Sequence, residues 1–242
     1  MKMKKESLIM ISLLFTTAAV ALTFTTTVPK VTPTVAAPPE GVVAIDLALP
    51  GGTKWANMNV GAEKPEDFGL YFAWGETDGY EYDTVAYHPS DSFVEYKFGG
   101  YGYLKKYCHR KSEGNKDNKI TLDPEDDAAH VYWGGSWRMP TRREFELLWE
   151  ETKHEFTAQN GVFGIRFTSK KNGNSIFLPA TVGTCSNEMV NYFAKPQRCG
   201  YWSSTLHYEA IGCLKAFALE DYVRIKYRHC KLSIRPVLKE KK

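Results

Sequence analysis

Apolar positions recur at two different periods along this chain, and the change of period marks its elements. Phe145, Leu148 and Trp149 fall at i, i+3 and i+4, the spacing of one helix face. Pro140 pushes Met139 toward an extended conformation, and Thr141 and Glu144 make the T-x-x-E capping box, so a helix is expected to start at Arg142. A second helix is expected upstream. Asp123 stands as its N-cap, Pro124 at its first position, and Ala128, Ala129, Tyr132 and Trp133 form its inner face before Gly134 ends it.

Elsewhere the period is two, or the apolar run is continuous. A strand signal runs from Val42 through Ile45 and Leu47 to a turn at Pro50-Gly51-Gly52, and Lys54-Trp55-Ala56 follows it. Leu70-Tyr71-Phe72-Ala73-Trp74 reads as a buried strand. Residues 78–102 are polar, aromatic and punctuated by glycine, which predicts a long surface excursion. Residues 164–168 and 175–178 flank Asn172-Gly173, predicting a hairpin with a type I′ turn. A further hairpin is expected from 214–219 and 222–228, turning near Glu220-Asp221; Val223, Ile225 and Tyr227 face one way and Arg224, Lys226 and Arg228 the other. Ser233-Ile234-Arg235-Pro236-Val237 closes the chain as a strand. Two helices with antiparallel strands predict the α+β class.

The N-terminus changes the picture of where the protein works. Three early lysines precede an apolar run over residues 8–24, with Ala19 and Ala21 offering a cleavage site, so residues 1–24 read as a signal peptide or an uncleaved signal anchor. The Thr- and Pro-rich residues 25–40 read as a tether that packs no core, and 41–238 as one domain. The expected location is secreted or in the cell envelope, with membrane contact only through the anchor. The formal charge of +3 falls to about +1 once the leader and tether are set aside, which leaves no field to steer nucleic acid. Aromatic residues make up 14% of the chain, more than its core requires, and this surplus favours recognition surfaces. Five cysteines cannot all pair within one molecule, and no C-x-x-C spacing suggests zinc or redox chemistry.

Several stretches together resemble the Fibrobacter succinogenes major paralogous domain family, found in exported proteins of gut Bacteroidetes. They include Asp46-Leu47-Ala48-Leu49-Pro50-Gly51-Gly52-Thr53-Lys54-Trp55-Ala56, Asn59-Val60-Gly61-Ala62 and Tyr71-Phe72-Ala73-Trp74-Gly75-Glu76-Thr77. The likeness continues through Leu122-Asp123-Pro124-Glu125-Asp126-Asp127-Ala128-Ala129, the segment from Trp133 to Thr141, Tyr201-Trp202-Ser203-Ser204 and Ser233-Ile234-Arg235-Pro236-Val237. The resemblance implies a C-type lectin-like fold, shared with formylglycine-generating enzymes, and implies no reaction. Those enzymes use a closely spaced late cysteine pair, whereas Cys213 and Cys230 stand seventeen residues apart. The E-P-N, Q-P-D and W-N-D triplets that hold calcium in sugar-binding lectins do not occur.

No catalytic residue, metal ligand or cofactor is therefore expected. Asp123, Glu125, Asp126 and Asp127 serve a helix start, since no D-x-D-x-D-G loop is present. His154-Glu155 lacks the second histidine of a zinc-protease helix and reads as helix surface. Glu76, Asp78, Glu81 and Asp83 read as a solvated loop rather than a glycosidase pair. Ser203 and Ser204 read as turn residues that bond backbone. The expected function is non-catalytic ligand binding at a cell surface, as an adhesin-like module whose partner is a surface protein or a glycan. The binding residues are expected in the C-terminal hairpin region: Tyr201, His207, Tyr208, Lys215, Tyr222, Arg224, Lys226, Tyr227 and Arg228. Bacterial proteins of the implied fold serve as targets of diversity-generating retroelements, and residues 205–232 depart from the family's usual filling while the flanking frame is kept. Diversification of that segment is a further expectation. The alternatives are a formylglycine-generating-type or carbohydrate-active enzyme, or a structural envelope subunit.

Overall fold

The computed structural model describes residues 30–32, 36–81, 96–100, 102–181, 199–207, 215–220 and 222–238, with the side chains of 215–217 left aside. The leader and half of the tether lie outside these residues. Strands β1 (Ala44–Asp46), β2 (Lys54–Ala56) and β3 (Tyr71–Phe72) lead to helix α1 (Ala128–Trp133), strand β4 (Trp137–Arg138) and helix α2 (Arg142–Glu151). Strands β5 (Thr152–Gln159), β6 (Val162–Ser169), β7 (Ser175–Pro179) and β8 (Tyr201–His207) follow. The chain then forms β9 (Lys215–Leu219), β10 (Val223–Tyr227), β11 (Leu232–Ser233) and β12 (Val237–Leu238). They form three sheets, ordered β1-β2-β12-β4, β10-β9-β8-β11-β3 and β5-β6-β7. The class is α+β.

Helix α2 starts where its capping box places it. Thr141 Oγ1 accepts from the Glu144 amide, and the Glu144 carboxylate accepts from the Thr141 amide at 2.8 Å. Phe145 and Leu148 are buried against Trp55, with Trp149 partly so. Helix α1 begins later than Asp123 suggested. Pro124–Asp126 form a separate 3-10 turn with no side-chain cap, and it is Asp127 that accepts from the His130 amide. The inner face of α1 is nonetheless as expected, with Ala128, Ala129 and Trp133 buried.

β8 joins the two helix-bearing segments. Its pairing with β9 is irregular between Trp202 and Leu206, and there Ser203 and Ser204 lie within a strand, not at the predicted turn. The Ser204 amide donates to the Pro140 carbonyl at 2.8 Å, and Thr205 Oγ1 accepts from the Arg142 amide at 3.0 Å. Two indoles tie β8 to the segment beginning at β3: Trp202 Nε1 donates to Phe72 O and Trp74 Nε1 to Ser203 O, each at 2.8 Å. A buried donor left unpaired costs about 1–3 kcal/mol, so these reciprocal bonds select this packing over other compact ones.

Four further expectations change. β5 is a strand, which moves His154 and Glu155 off any helix surface. The type I′ turn lies at Asn160-Gly161, where both φ angles are positive (48° and 84°), while at 172–173 only Gly173 is left-handed. Tyr96 and Phe98, placed by sequence in a surface excursion, are buried in the larger core. Val31, assigned to the tether, pairs with Gly79, and its carbonyl accepts from the Tyr132 hydroxyl at 2.6 Å. Among the described residues no helix is long and apolar enough to cross a membrane.

Candidate ligand-binding face

The C-terminal hairpin forms as expected, with β10 pairing β9 from Val223↔Leu219 to Tyr227↔Lys215. β10 lies at the edge of its five-stranded sheet. The nine residues predicted to bind do not form one surface. Tyr201 is fully buried: its hydroxyl donates to Pro179 O at 2.9 Å and accepts from Asn59 Nδ2 at 3.1 Å. Burial pushes its phenol well above the ordinary range. Arg228, placed by alternation on an outward stripe, is also fully buried.

Arg228 is a structural cation. Its guanidinium carbon lies 4.9 Å from the centre of the Trp74 ring and 5.3, 5.7 and 5.9 Å from those of Tyr96, Phe98 and Tyr107. Nε donates to the Tyr96 hydroxyl at 3.0 Å, and the two terminal nitrogens donate to the carbonyls of Tyr107 and Lys106 at 3.2 Å. A guanidinium suits such a box because it stacks on rings while its edge donates in plane. The strand alternation breaks at Arg228 because β10 ends at Tyr227 and the chain turns inward there. Arg235 plays a parallel part in the other core, donating to Asn59 Oδ1 at 2.8 Å and to the carbonyls of Ala56 and Phe177 at 3.0 Å. Burial lowers its pKa from the usual guanidinium value.

The remaining positions divide by exposure. Lys226 is mostly covered, with its ammonium 3.0 Å from the Glu220 carboxylate across the hairpin. Tyr227 and His207 are half-buried, and the Tyr227 ring stacks on His229 with centres 5.6 Å apart. Tyr208 lies outside the described residues, as does the Lys215 side chain. Tyr222 (39% exposed), Arg224 and Ile225 (36%) remain on the surface. The Tyr222 ring meets Trp149 of α2 edge-on at 5.9 Å, and Trp149 packs against His154 at 4.0 Å. Sequence reasoning left Trp149 and His154 out of the site. Trp149 fits a core stripe and His154 was assigned to a helix, and only the hairpin's return to α2 brings both beside Tyr222.

Asp123, Glu125, Asp126, Glu76 and Asp78 are engaged in structure. Asp123, Glu125 and Asp126 bring ligand atoms within 4.8 Å of one another, but the Lys106 ammonium donates to all three at 2.6, 3.2 and 2.5 Å. An amine already occupies the position a cation would take. Burial works against the Asp126 charge, but hydrogen bonds from Lys106, Lys97 and Tyr107 outweigh it and hold its pKa below the ordinary value. Glu76 is not in a solvated loop. It is buried and accepts from the Lys97 amide at 2.8 Å, and desolvation raises its pKa. Asp78 is half-buried, 3.6 Å from the Lys30 ammonium; Glu81 is exposed, and Asp83 lies outside the described residues. Cys230 is disulfide-bonded, while Cys108 and Cys199 are buried free thiols. Burial pushes the Cys199 thiol up to about 12, which leaves it protonated and inert at neutral pH.

Comparison of the chain with protein-family models, with curated proteins and with solved structures returned no match.

Proposed function

We propose that this chain is a non-catalytic, exported ligand-binding module of C-type lectin-like type, related to the Fibrobacter succinogenes major paralogous domains, whose docking face centres on Tyr222 and Arg224. The observation that carries this reading is the division of the C-terminal segment. Tyr201, Arg228 and Arg235 are locked into two cores, while Tyr222, Arg224 and Ile225 stand outside on an edge hairpin held against α2. A part-exposed aromatic ring two positions from an exposed arginine is the composition of binding hot spots. The disulfide at Cys230 suits an oxidising compartment and so supports export. Glu76, Asp78, Asp123, Glu125, Asp126 and Asp127 are occupied with caps, amines and backbone amides, which supports a binding rather than a catalytic role.

The partner is a surface protein or a glycan at the cell envelope. If the segment 205–232 is diversified, the variable positions are those whose side chains stand at the surface, Tyr222, Arg224 and Ile225 among them, whereas the buried Leu219, Arg228 and Cys230 are constant. Capture on glycan and surface-protein arrays tests the reading. The double substitution Tyr222→Ala with Arg224→Ala is expected to abolish capture while leaving the melting temperature within about 2 °C, the scale of surface changes. Undiminished capture by that variant would sink the assignment.

A further inference from the structure

The sheet β5-β6-β7 ends on β5, whose outer side meets no other strand among the described residues. The two-residue turn at Asn160-Gly161 makes Gln159↔Val162 a hydrogen-bonded pair. By alternation, the amides and carbonyls of Thr157 and Glu155 then also point to β6, and those of His154, Phe156 and Ala158 point to the open edge. β5 is eight residues long, contains no proline and pairs with β6 without irregularity. Edges of this length are ordinarily blunted or covered.

The side chains on this edge add a second observation. Phe156 and Phe163 are 38% and 55% exposed, and their rings stack with centres 5.6 Å apart and planes 9° apart. Register puts both on the face that carries the buried Ile165 and Phe167. The apolar face of the sheet thus runs past the body of the protein.

We propose that β5 pairs antiparallel with β5 of a second copy about a twofold axis at Phe156, giving one six-stranded sheet. A twofold axis normal to a sheet sets a residue opposite its own counterpart, and only two such registers let each strand use seven residues. One sets Glu155 against Glu155 of the second copy, a direct like-charge pair. The other sets Phe156 against itself, His154 against Ala158, Lys153 against Gln159 and Glu155 against Thr157, with no directly opposed like charges. It also joins the two Phe156–Phe163 stacks into a row of four rings. The interface is isologous and closes at two copies, which removes the open edge instead of propagating it.

Sedimentation of the full chain in a mild non-ionic detergent, from micromolar to millimolar concentration, reads the result; the detergent keeps residues 8–24 from associating. A concentration-dependent dimer is expected. Phe156→Lys and Phe156→Glu should each weaken it at least tenfold, and mixing the two should restore it, because position 156 faces itself in this register alone. Ala158→Pro removes an outward N–H without touching the β6 ladder and should likewise abolish the dimer, with the thermal melt confirming that the fold persists. A wild-type chain that stays monomeric throughout overturns the proposal. So does a dimer indifferent to Ala158→Pro, or a failure of the mixed variants to pair.

Discussion

Glu144 concentrates more structural duty than any other carboxylate on α2, and its replacement by glutamine measures that duty. Its two oxygens accept from Arg138 at 2.6 and 2.8 Å, from the Thr141 amide at 2.8 Å and from the Thr53 hydroxyl at 2.7 Å. One side chain thus links β4, the start of α2 and the β1–β2 turn. Burial alone would raise its pKa, but the Arg138 guanidinium and the donors from Thr141 and Thr53 outweigh it and hold the group at about 2, against 4.5 when unperturbed. A folded-state pKa below the unfolded one means stability that is complete above pH 4.5 and lost as pH falls toward 2. At about 1.4 kcal/mol per unit, the contribution at neutral pH is about 3 kcal/mol, of which about 2 is gone by pH 3. Glu144→Gln keeps the shape but turns one acceptor into a donor facing donors, and it leaves the half-covered Arg138 without its counter-charge. Urea unfolding at pH 7 and pH 3 is the assay. The variant is expected to be about 3 kcal/mol less stable than wild type at pH 7 and to differ by only about 1 kcal/mol at pH 3. A cost below about 0.5 kcal/mol at pH 7, or one that does not shrink with acid, would refute the reasoning.

Two more outcomes follow from the same interior. Burial raises the Asp127 carboxyl to about 6 against the amides of Met139 and His130, so its contribution to stability is full below pH 3.8 and lost as pH rises through 6; a carboxyl NMR titration should show a midpoint near 6, and one near 4 would contradict this. Arg235→Met should cost about 3 kcal/mol or more, because Asn59 Oδ1 and two carbonyls lose their donors, and a variant as stable as wild type by denaturant midpoint would show those groups to be otherwise satisfied.

The helices were legible in sequence because their signals are local. The Thr141–Glu144 box lies within one turn, and the inner face of α1 follows from spacing alone. β5 was not legible, since Thr152–Gln159 overhangs the body and shows no clean alternation between an apolar and a polar face. The local signal for it is Asn160-Gly161, whereas at Asn172-Gly173, the pair read as the type I′ turn, the loop is longer and only glycine is left-handed. The C-terminal hairpin was legible in place, but not which of its side chains reach the surface. Arg228 and Tyr201 look like surface residues in sequence, and what draws them inside is partners more than a hundred positions away for Arg228, in Tyr96 and Tyr107, and for Tyr201 in Asn59. Strand alternation also fails at a strand's end, which is where Arg228 sits.

The central claim is that the C-terminal segment divides into a buried frame and an exposed face, and arginine footprinting reads that division directly. Treatment of the native chain with phenylglyoxal, followed by mass spectrometry, should modify Arg224 rapidly and leave Arg228 and Arg235 untouched until the protein is unfolded. Comparable labelling of Arg224 and Arg228 in the native state would contradict the account.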